Sequence, residues 1–443
     1  MSQLARFHTL LQKLRETDPL PKPQGKVTEI GNMLARVAGL QANIGDIAWL
    51  NDPVSARTLW AEVVGVSNRQ TLLMPFGNNT GLSSLTQVRL RPHQYALPAA
   101  SQLLGRVLDG LGRPLDAQAL PHPAADHATH NANRVLNPLE RAFIDTPFVT
   151  GIRAVDGLLS CGVGQRVGII APAGVGKSTL TGMIARWGKA DAVVVALIGE
   201  RGREVREFVE HQLGNRIKSS IVIAATAERP AAERIRAAET ASLLAESLRD
   251  EGQQVLLIFD SLTRYARALR ELGLALGEPP ARRGYPPSTF TRLPQLLERA
   301  GRTAGSGAIT GFYTVLAEDE DANDPISEEA RSLLDGHIQL SPDLAQAGHF
   351  PAIDILKSNS RVMNSLASKA QRHCATRVRE WLALYKESEL LVRLGEYQPG
   401  SDPQTDTALA RHPAIALFLQ QSATAQSSWE ETLSQLEELI KLS

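Results

Sequence analysis

Within the run Ala171-Pro172-Ala173-Gly174-Val175-Gly176-Lys177-Ser178-Thr179, two glycines precede a lysine and two hydroxyl residues. The run follows the apolar segment Val167 to Ala171 and opens a helix near Lys177, which is the strand, loop, helix context of a phosphate-binding loop. Gly174 and Gly176 let backbone N–H groups turn inward on phosphate oxygens, and the helix N-terminus adds partial positive charge. Lys177 is placed to reach the β and γ phosphates of a nucleoside triphosphate, and Ser178 to offer its hydroxyl to Mg²⁺. Ala173, Val175 and Thr179 complete the nucleotide-binding set. The strict pattern begins with Gly where this chain has Ala171, a departure at the loop's entry that leaves Gly176, Lys177 and Ser178 intact.

Binding phosphate is not hydrolysing it. Hydrolysis needs a carboxylate near the metal and a group that positions the attacking water. Val255-Leu256-Leu257-Ile258-Phe259-Asp260 reads as a buried strand ending in a carboxylate, so Asp260 is the candidate for ordering metal-bound water. A helix-capping Asp is the alternative reading. Ala196-Leu197-Ile198-Gly199-Glu200-Arg201-Gly202-Arg203-Glu204 puts Glu200 just past another strand end, where it would accept the proton of a water in line with the γ-phosphate. A surface salt bridge is the bland alternative. Arg201 is the candidate to orient Glu200 or to stabilise charge, and Glu204 is a further charged neighbour.

These residues need a frame. Val167 to Ala171, Ala192 to Ile198, Ile221 to Ala225, Val255 to Phe259, Ile309 to Leu316 and His337 to Leu340 are apolar runs of strand length, several separated by helical stretches such as Ala231 to Arg249. The alternation predicts an α/β domain over about residues 93–362: a mainly parallel sheet wrapped by helices, with ligands beyond the carboxyl ends of its strands. Before it, residues 23–92 read as short strands broken by Gly, Asn, Asp and Pro, a spacing that suits a small barrel or sandwich, with a small β-barrel domain as the expectation. Residues 1–22 carry Leu4, Phe7, Leu10, Leu11 and Leu14 on one helical face, packed on the barrel or offered to a partner. Residues 114–147 read as a connector whose His122, His127 and His130 belong to a solvated loop rather than to a metal site. Residues 363–443 read as a helical domain, the last helix carrying Trp429, Leu433, Leu436 and Ile440.

Composition excludes whole classes. Of the 443 residues, 47 are Lys or Arg and 47 are Asp or Glu, so there is no basic surplus for living on nucleic acid. The two cysteines, Cys161 and Cys374, cannot build a disulfide framework, which predicts a reducing compartment. No uncharged apolar run reaches spanning length and the N-terminus lacks a signal-peptide core, so the expectation is a cytoplasmic protein that meets a membrane only through partners.

Pro351-Ala352-Ile353-Asp354-Ile355-Leu356-Lys357-Ser358-Asn359-Ser360, followed by Arg361, resembles the ten-residue signature of the rotary ATPase superfamily, which holds the F-type and V-type catalytic subunits. Ile198 to Val205, Asp260 to Arg267, Gly284 to Ser288, Leu296 to Arg299, Ser332 to Ile338 and Gly395-Glu396-Tyr397 resemble the export ATPases of type III secretion and flagellar systems. The resemblance implies a RecA-like ATPase in a homohexameric ring, using Mg²⁺ and ATP at subunit boundaries to release chaperones from exported proteins and unfold them. It implies that Lys177 and Ser178 hold phosphate and metal, that Glu200 is the catalytic carboxylate and Asp260 the second acidic residue, and that Arg264 is a charge neighbour. It further implies that Arg361 reaches the neighbouring subunit's γ-phosphate and that Phe350 stacks on adenine. Its implied partners are a central stalk protein, a negative regulator or stator and chaperone–substrate complexes, with the export gate contacted indirectly and no nucleic acid. The implied location is the inner face of the inner membrane, held there by the apparatus. General likeness favours the injectisome group, a flagellar export ATPase is the alternative, and a rotary ATP synthase catalytic subunit is the further alternative.

Overall fold

The computed structural model describes residues 24–67, 69–91, 97–121, 138–317 and 324–441. The expected N-terminal helix and the histidines at 122, 127 and 130 lie outside them. The first described unit is built from β1 (Gln24–Ile30), β2 (Ala35–Ala38), β3 (Ile47–Asn51), β4 (Thr58–Val66), β5 (Gln70–Phe76) and β6 (Gln87–Leu90). All neighbours are antiparallel and the order β1-β2-β5-β4-β3-β6 closes on itself, so the unit is a barrel and not a sandwich. Val27, Val37, Leu50, Val63, Leu73 and Val88 fill its interior from alternate positions along the strands. β1 and β2 pass so close that a Cβ on Gly25 would lie 2.4 Å from Val37 Cγ1.

The second unit adds β7 (Val107–Asp109), a small pair β8 (Pro147–Phe148) and β9 (Cys161–Gly162), then β10 (Arg166–Ala171), β11 (Ala192–Ile198), β12 (Ser220–Ala225), β13 (Gln254–Asp260), β14 (Gly301–Arg302), β15 (Ala308–Leu316), β16 (Gly336–Leu340) and β17 (Ile353–Ser360). The large sheet runs β17-β16-β10-β15-β13-β11-β12-β7, parallel throughout except for β17 against β16, with β14 antiparallel beside β15. All six expected central strands are present. Burial on both faces explains their unbroken apolar runs. Along β11, Val193, Val195 and Leu197 face one core while Ala192, Val194, Ala196 and Ile198 face the other.

The helices Ala231–Asp250 and Leu262–Ala275 cover one face, together with Met74 and Phe76 from the barrel. The other face takes the helix Lys177–Trp187 and the three C-terminal helices, Lys369–Leu394, Pro403–Leu419 and Trp429–Lys441. Cys374, Val378, Trp381, Phe418 and Leu436 share a continuous apolar core with β10 and β13. The C-terminal helices therefore belong energetically to the same unit as the large sheet. Ser368 caps the first of them by accepting from the Gln371 N–H, and Gly395, at φ 73°, ends it in the left-handed conformation. Among the described residues, no helix is long and apolar enough to cross a membrane.

Candidate active site

Four adjacent strands, β10, β15, β13 and β11, converge on the site at their carboxyl ends. β10 leads into the glycine loop. Gly174 (φ 82°) and Gly176 (φ 89°) both lie in the left-handed region, where a side chain is strained, and no atom lies within 4 Å of where a Gly174 Cβ would be. Buried Val175 anchors the loop, while Ala173, Gly174 and Ser178 are exposed. Gly176 precedes the helix Lys177–Trp187 with no side-chain cap, which leaves the first-turn N–H groups for an anion. Thr179 is half-buried in that first turn.

Lys177 reaches down between two carboxylates. Its Nζ is ion-paired to Asp260 Oδ1 and lies 3.6 Å from Glu200 Oε1. All three side chains are nearly buried, Lys177 at 11%, Glu200 at 12% and Asp260 at 4% exposure. From β15, Thr314 Oγ1 donates to the same Asp260 oxygen at 2.6 Å, so that carboxylate is held from two sides. Asp260 does not cap the following helix. Ser261 does, its hydroxyl accepting from the Arg264 N–H. Burial, and after it the negative charge of Asp260, push the Glu200 carboxyl up to about 7, with Lys177 acting in the opposite direction. Glu200 Oε1 is buried without a hydrogen-bond partner.

A cleft of about 220 Å³ opens between these groups, lined by Ser178, Glu200, Glu204, Glu207, Gln212 and Asp260. Arg264 lies across Gly199, where a Cβ would meet its Cβ at 3.0 Å, and its Nε is buried without a partner. Arg201 points elsewhere: its side chain is 70% exposed and its nearest anion is Glu204 at 3.8 Å, whereas Arg203 lines the cleft. The Phe350 ring stands 3.5 Å from where a Gly176 Cβ would lie, at the loop's edge, and is 45% exposed.

Arg361 lies at the other end of the molecule's sheet. β17 is antiparallel to β16, which pairs Ser360 with Gly336, and His337 in turn lies beside Gly168 near the start of β10. The six residues of β10, at about 3.3 Å each, separate Arg361 from the chain's own glycine loop by roughly 20 Å. Its side chain is exposed and donates to the Arg331 carbonyl at 2.9 Å.

A Mg²⁺-bound triphosphate fits these residues. Glu200, whose Oε1 lacks a hydrogen-bond partner, and Ser178 line one cleft, and the glycine loop leaves open space at Gly174. Among the described residues no group of three or more His, Cys, Asp or Glu forms a metal cage. A hydroxyl plus substrate phosphates is how Mg²⁺, which keeps most of its water, is usually held. Thr314, Glu207 and Gln212 were missed by sequence reasoning. Thr314 sits inside an apolar strand run, where a threonine reads as ordinary core.

A left-handed glycine loop at a helix N-terminus, its lysine clamped between strand-end carboxylates, defines a P-loop nucleoside-triphosphate hydrolase on a RecA-like sheet. Residues 151–360 match the model of the ATP synthase alpha/beta family, nucleotide-binding domain, and residues 367–438 match that of the T3SS EscN ATPase C-terminal domain. The type 3 secretion system ATPase of Xanthomonas euvesicatoria is 48% identical over 97% of this chain and 97% of its own. The flagellum-specific ATP synthase of Pseudomonas aeruginosa is 44% identical over 95% and 94%. The assembled ATPase EscN of the enteropathogenic E. coli type III secretion system superposes with a TM-score of 0.88 at 43% identity, covering 94% of this chain and 100% of that one. The chain belongs to the ATPase family of type III secretion and flagellar export, and it is an ATP hydrolase.

Proposed function

We propose that the chain is the Mg²⁺-ATP-driven motor subunit of a type III secretion apparatus, acting in a homohexameric ring to release chaperones from exported proteins and unfold them. The observation that carries the ring is the separation of Arg361 from the chain's own glycine loop by the length of the sheet. An exposed arginine there cannot serve its own triphosphate, yet it suits a neighbour's. The solved relative EscN is described as assembled, and in a second structure as complexed with its central stalk EscO, which supports a stalk partner for this ring.

In this reading the glycine loop and Lys177 bind the β and γ phosphates. Glu200 takes the proton of the attacking water, and Asp260 with Thr314 holds Lys177 in place. Mg²⁺, held through the Ser178 hydroxyl and through water ordered by Asp260, would neutralise charge on the phosphate oxygens. Arg264 supplies positive charge beside Glu200, Phe350 stacks on adenine, and Arg361 of the adjacent copy stabilises charge spread over the transferring phosphoryl group. Arg201, turned outward and ion-paired to the cleft residue Glu204, has no direct role in this reading. The ring sits peripherally at the inner face of the inner membrane, contacting a regulator or stator and reaching the export gate only indirectly.

A flagellar export ATPase is the second reading, favoured by the flagellum-specific relative of P. aeruginosa. The match of residues 367–438 to the secretion C-terminal domain argues against a rotary synthase subunit. A chaperone-bound export substrate, labelled for fluorescence, tests the motor role. ATP should dissociate the complex with wild-type protein and not with Lys177→Ala. Full ATP turnover beside an intact complex would overturn the proposal.

A further inference from the structure

Gln421, buried just past the helix Pro403–Leu419, gathers contacts from three parts of the chain. Its backbone N–H donates to the Phe350 carbonyl at 2.9 Å. Its side-chain Nε2 donates to the Gly151 carbonyl and to the Ala425 carbonyl, both at 2.8 Å, and its Oε1 accepts from the Arg153 N–H at 2.9 Å. Both amide hydrogens are spent, so a primary amide is the group that fits. Gly151 and Arg153 stand at the start of the helix Arg153–Leu158, where the chain enters the catalytic unit. Arg153 returns the contact, its Nε donating to the Phe418 carbonyl at 2.9 Å and its Nη2 to the Gln420 carbonyl. Those are end-of-helix carbonyls that would otherwise lack partners. Gln420 Nε2 lies 3.4 Å from His349 Nδ1. The short loop carrying Phe350 is thus tied on both sides to the end of a C-terminal helix.

We propose that Gln421 is a positioning residue for the nucleotide base, fixing the Phe350 ring beside the glycine loop and making base affinity depend on the C-terminal helices. The inference rests on the reading that Phe350 stacks on adenine. Removing the side-chain hydrogen bonds releases residue 421 itself from Gly151, from the Arg153 N–H and from Ala425, and the Phe350 carbonyl then loses a rigid anchor. Binding of the base weakens while the phosphate site, supported separately by β10, β13 and β15, does not.

The test compares wild type, Gln421→Leu and Phe350→Ala, with ADP and inorganic pyrophosphate as competing inhibitors of ATP turnover. Gln421→Leu should raise KM for ATP and the inhibition constant of ADP about tenfold, as a lost base stack does, with kcat within about threefold and pyrophosphate inhibition unchanged. Parallel weakening of ADP and pyrophosphate, or unchanged ADP inhibition, would overturn the inference. Should Gln421→Leu not fold, Gln421→Asn, one methylene too short to span both carbonyls, is read in the same way. If Phe350→Ala leaves ADP inhibition unchanged, the stacking reading fails. If Phe350→Ala weakens ADP and neither Gln421 variant does, only the role of Gln421 fails.

Discussion

Glu200 carries the sharpest chemical consequence at the scale of single residues. A carboxylate near 7 is a competent proton acceptor at neutral pH, and it is so because burial and the Asp260 charge oppose its ionisation more than Lys177 favours it. Proton acceptance requires the ionised form. kcat/KM for ATP should therefore rise with pH through about 7 and level above it, a limb that titration of the rate in the free-enzyme regime would reveal. Glu200→Gln keeps the shape and loses the base, so kcat should fall by about 10²–10⁴ while equilibrium ADP binding changes less than about twofold. Near wild-type turnover would remove Glu200 from the chemistry. The type of each of these residues was legible from its position after a strand. Their meeting in one ion-paired cluster was not, because Lys177 and Asp260 are far apart in the chain and only strand order makes them neighbours.

Between elements, the contact of barrel and catalytic unit holds a second perturbed carboxylate. Glu62 on β4 faces Glu239 and Arg236 on the helix Ala231–Asp250 and Arg292 on the helix Pro287–Leu297. Burial, then the Glu239 charge, raise its carboxyl from 4.5 to about 7. The folded chain therefore keeps a proton that the unfolded chain releases, and stability falls as pH rises from about 4.5 to about 7. Glu62→Gln should be more stable than wild type by about 1–3 kcal/mol at pH 8, with the difference shrinking towards pH 4.5. Urea unfolding followed at both pH values checks this, and a gain independent of pH would refute it. Elements themselves were read unevenly. The six buried central strands announce themselves by apolar runs, whereas β7 is three residues long and β17 alternates into polar Lys357, Ser358 and Asn359 at a sheet edge. Neither presents the continuous apolar signal of a strand covered on both faces. The first long C-terminal helix begins at Lys369, because Met363–Leu366 forms a separate turn broken at Ala367.

For the whole molecule, the decisive geometry is the span of the sheet between a glycine loop at one end and Arg361 at the other. A site shared between copies predicts that Lys177→Ala and Arg361→Ala are each inactive alone. Mixed in equal amounts they should recover activity, because random assembly leaves about a quarter of the boundaries with both residues intact. Steady-state ATPase assays on such mixtures measure it, and a complete lack of recovery would place Arg361 in cis. Local signals in the sequence determined the phosphate loop, the strand-end carboxylates, the α/β alternation and the helical end, since each rests on neighbours in the chain and on the period of apolar residues. Tertiary structure alone decided that the six N-terminal strands close into a barrel, that Thr314 supports Asp260, that Arg201 turns outward, and that the C-terminal helices share the catalytic core. Those outcomes depend on which strands lie side by side and which faces meet, and no local pattern encodes a contact between residues that are distant in the chain.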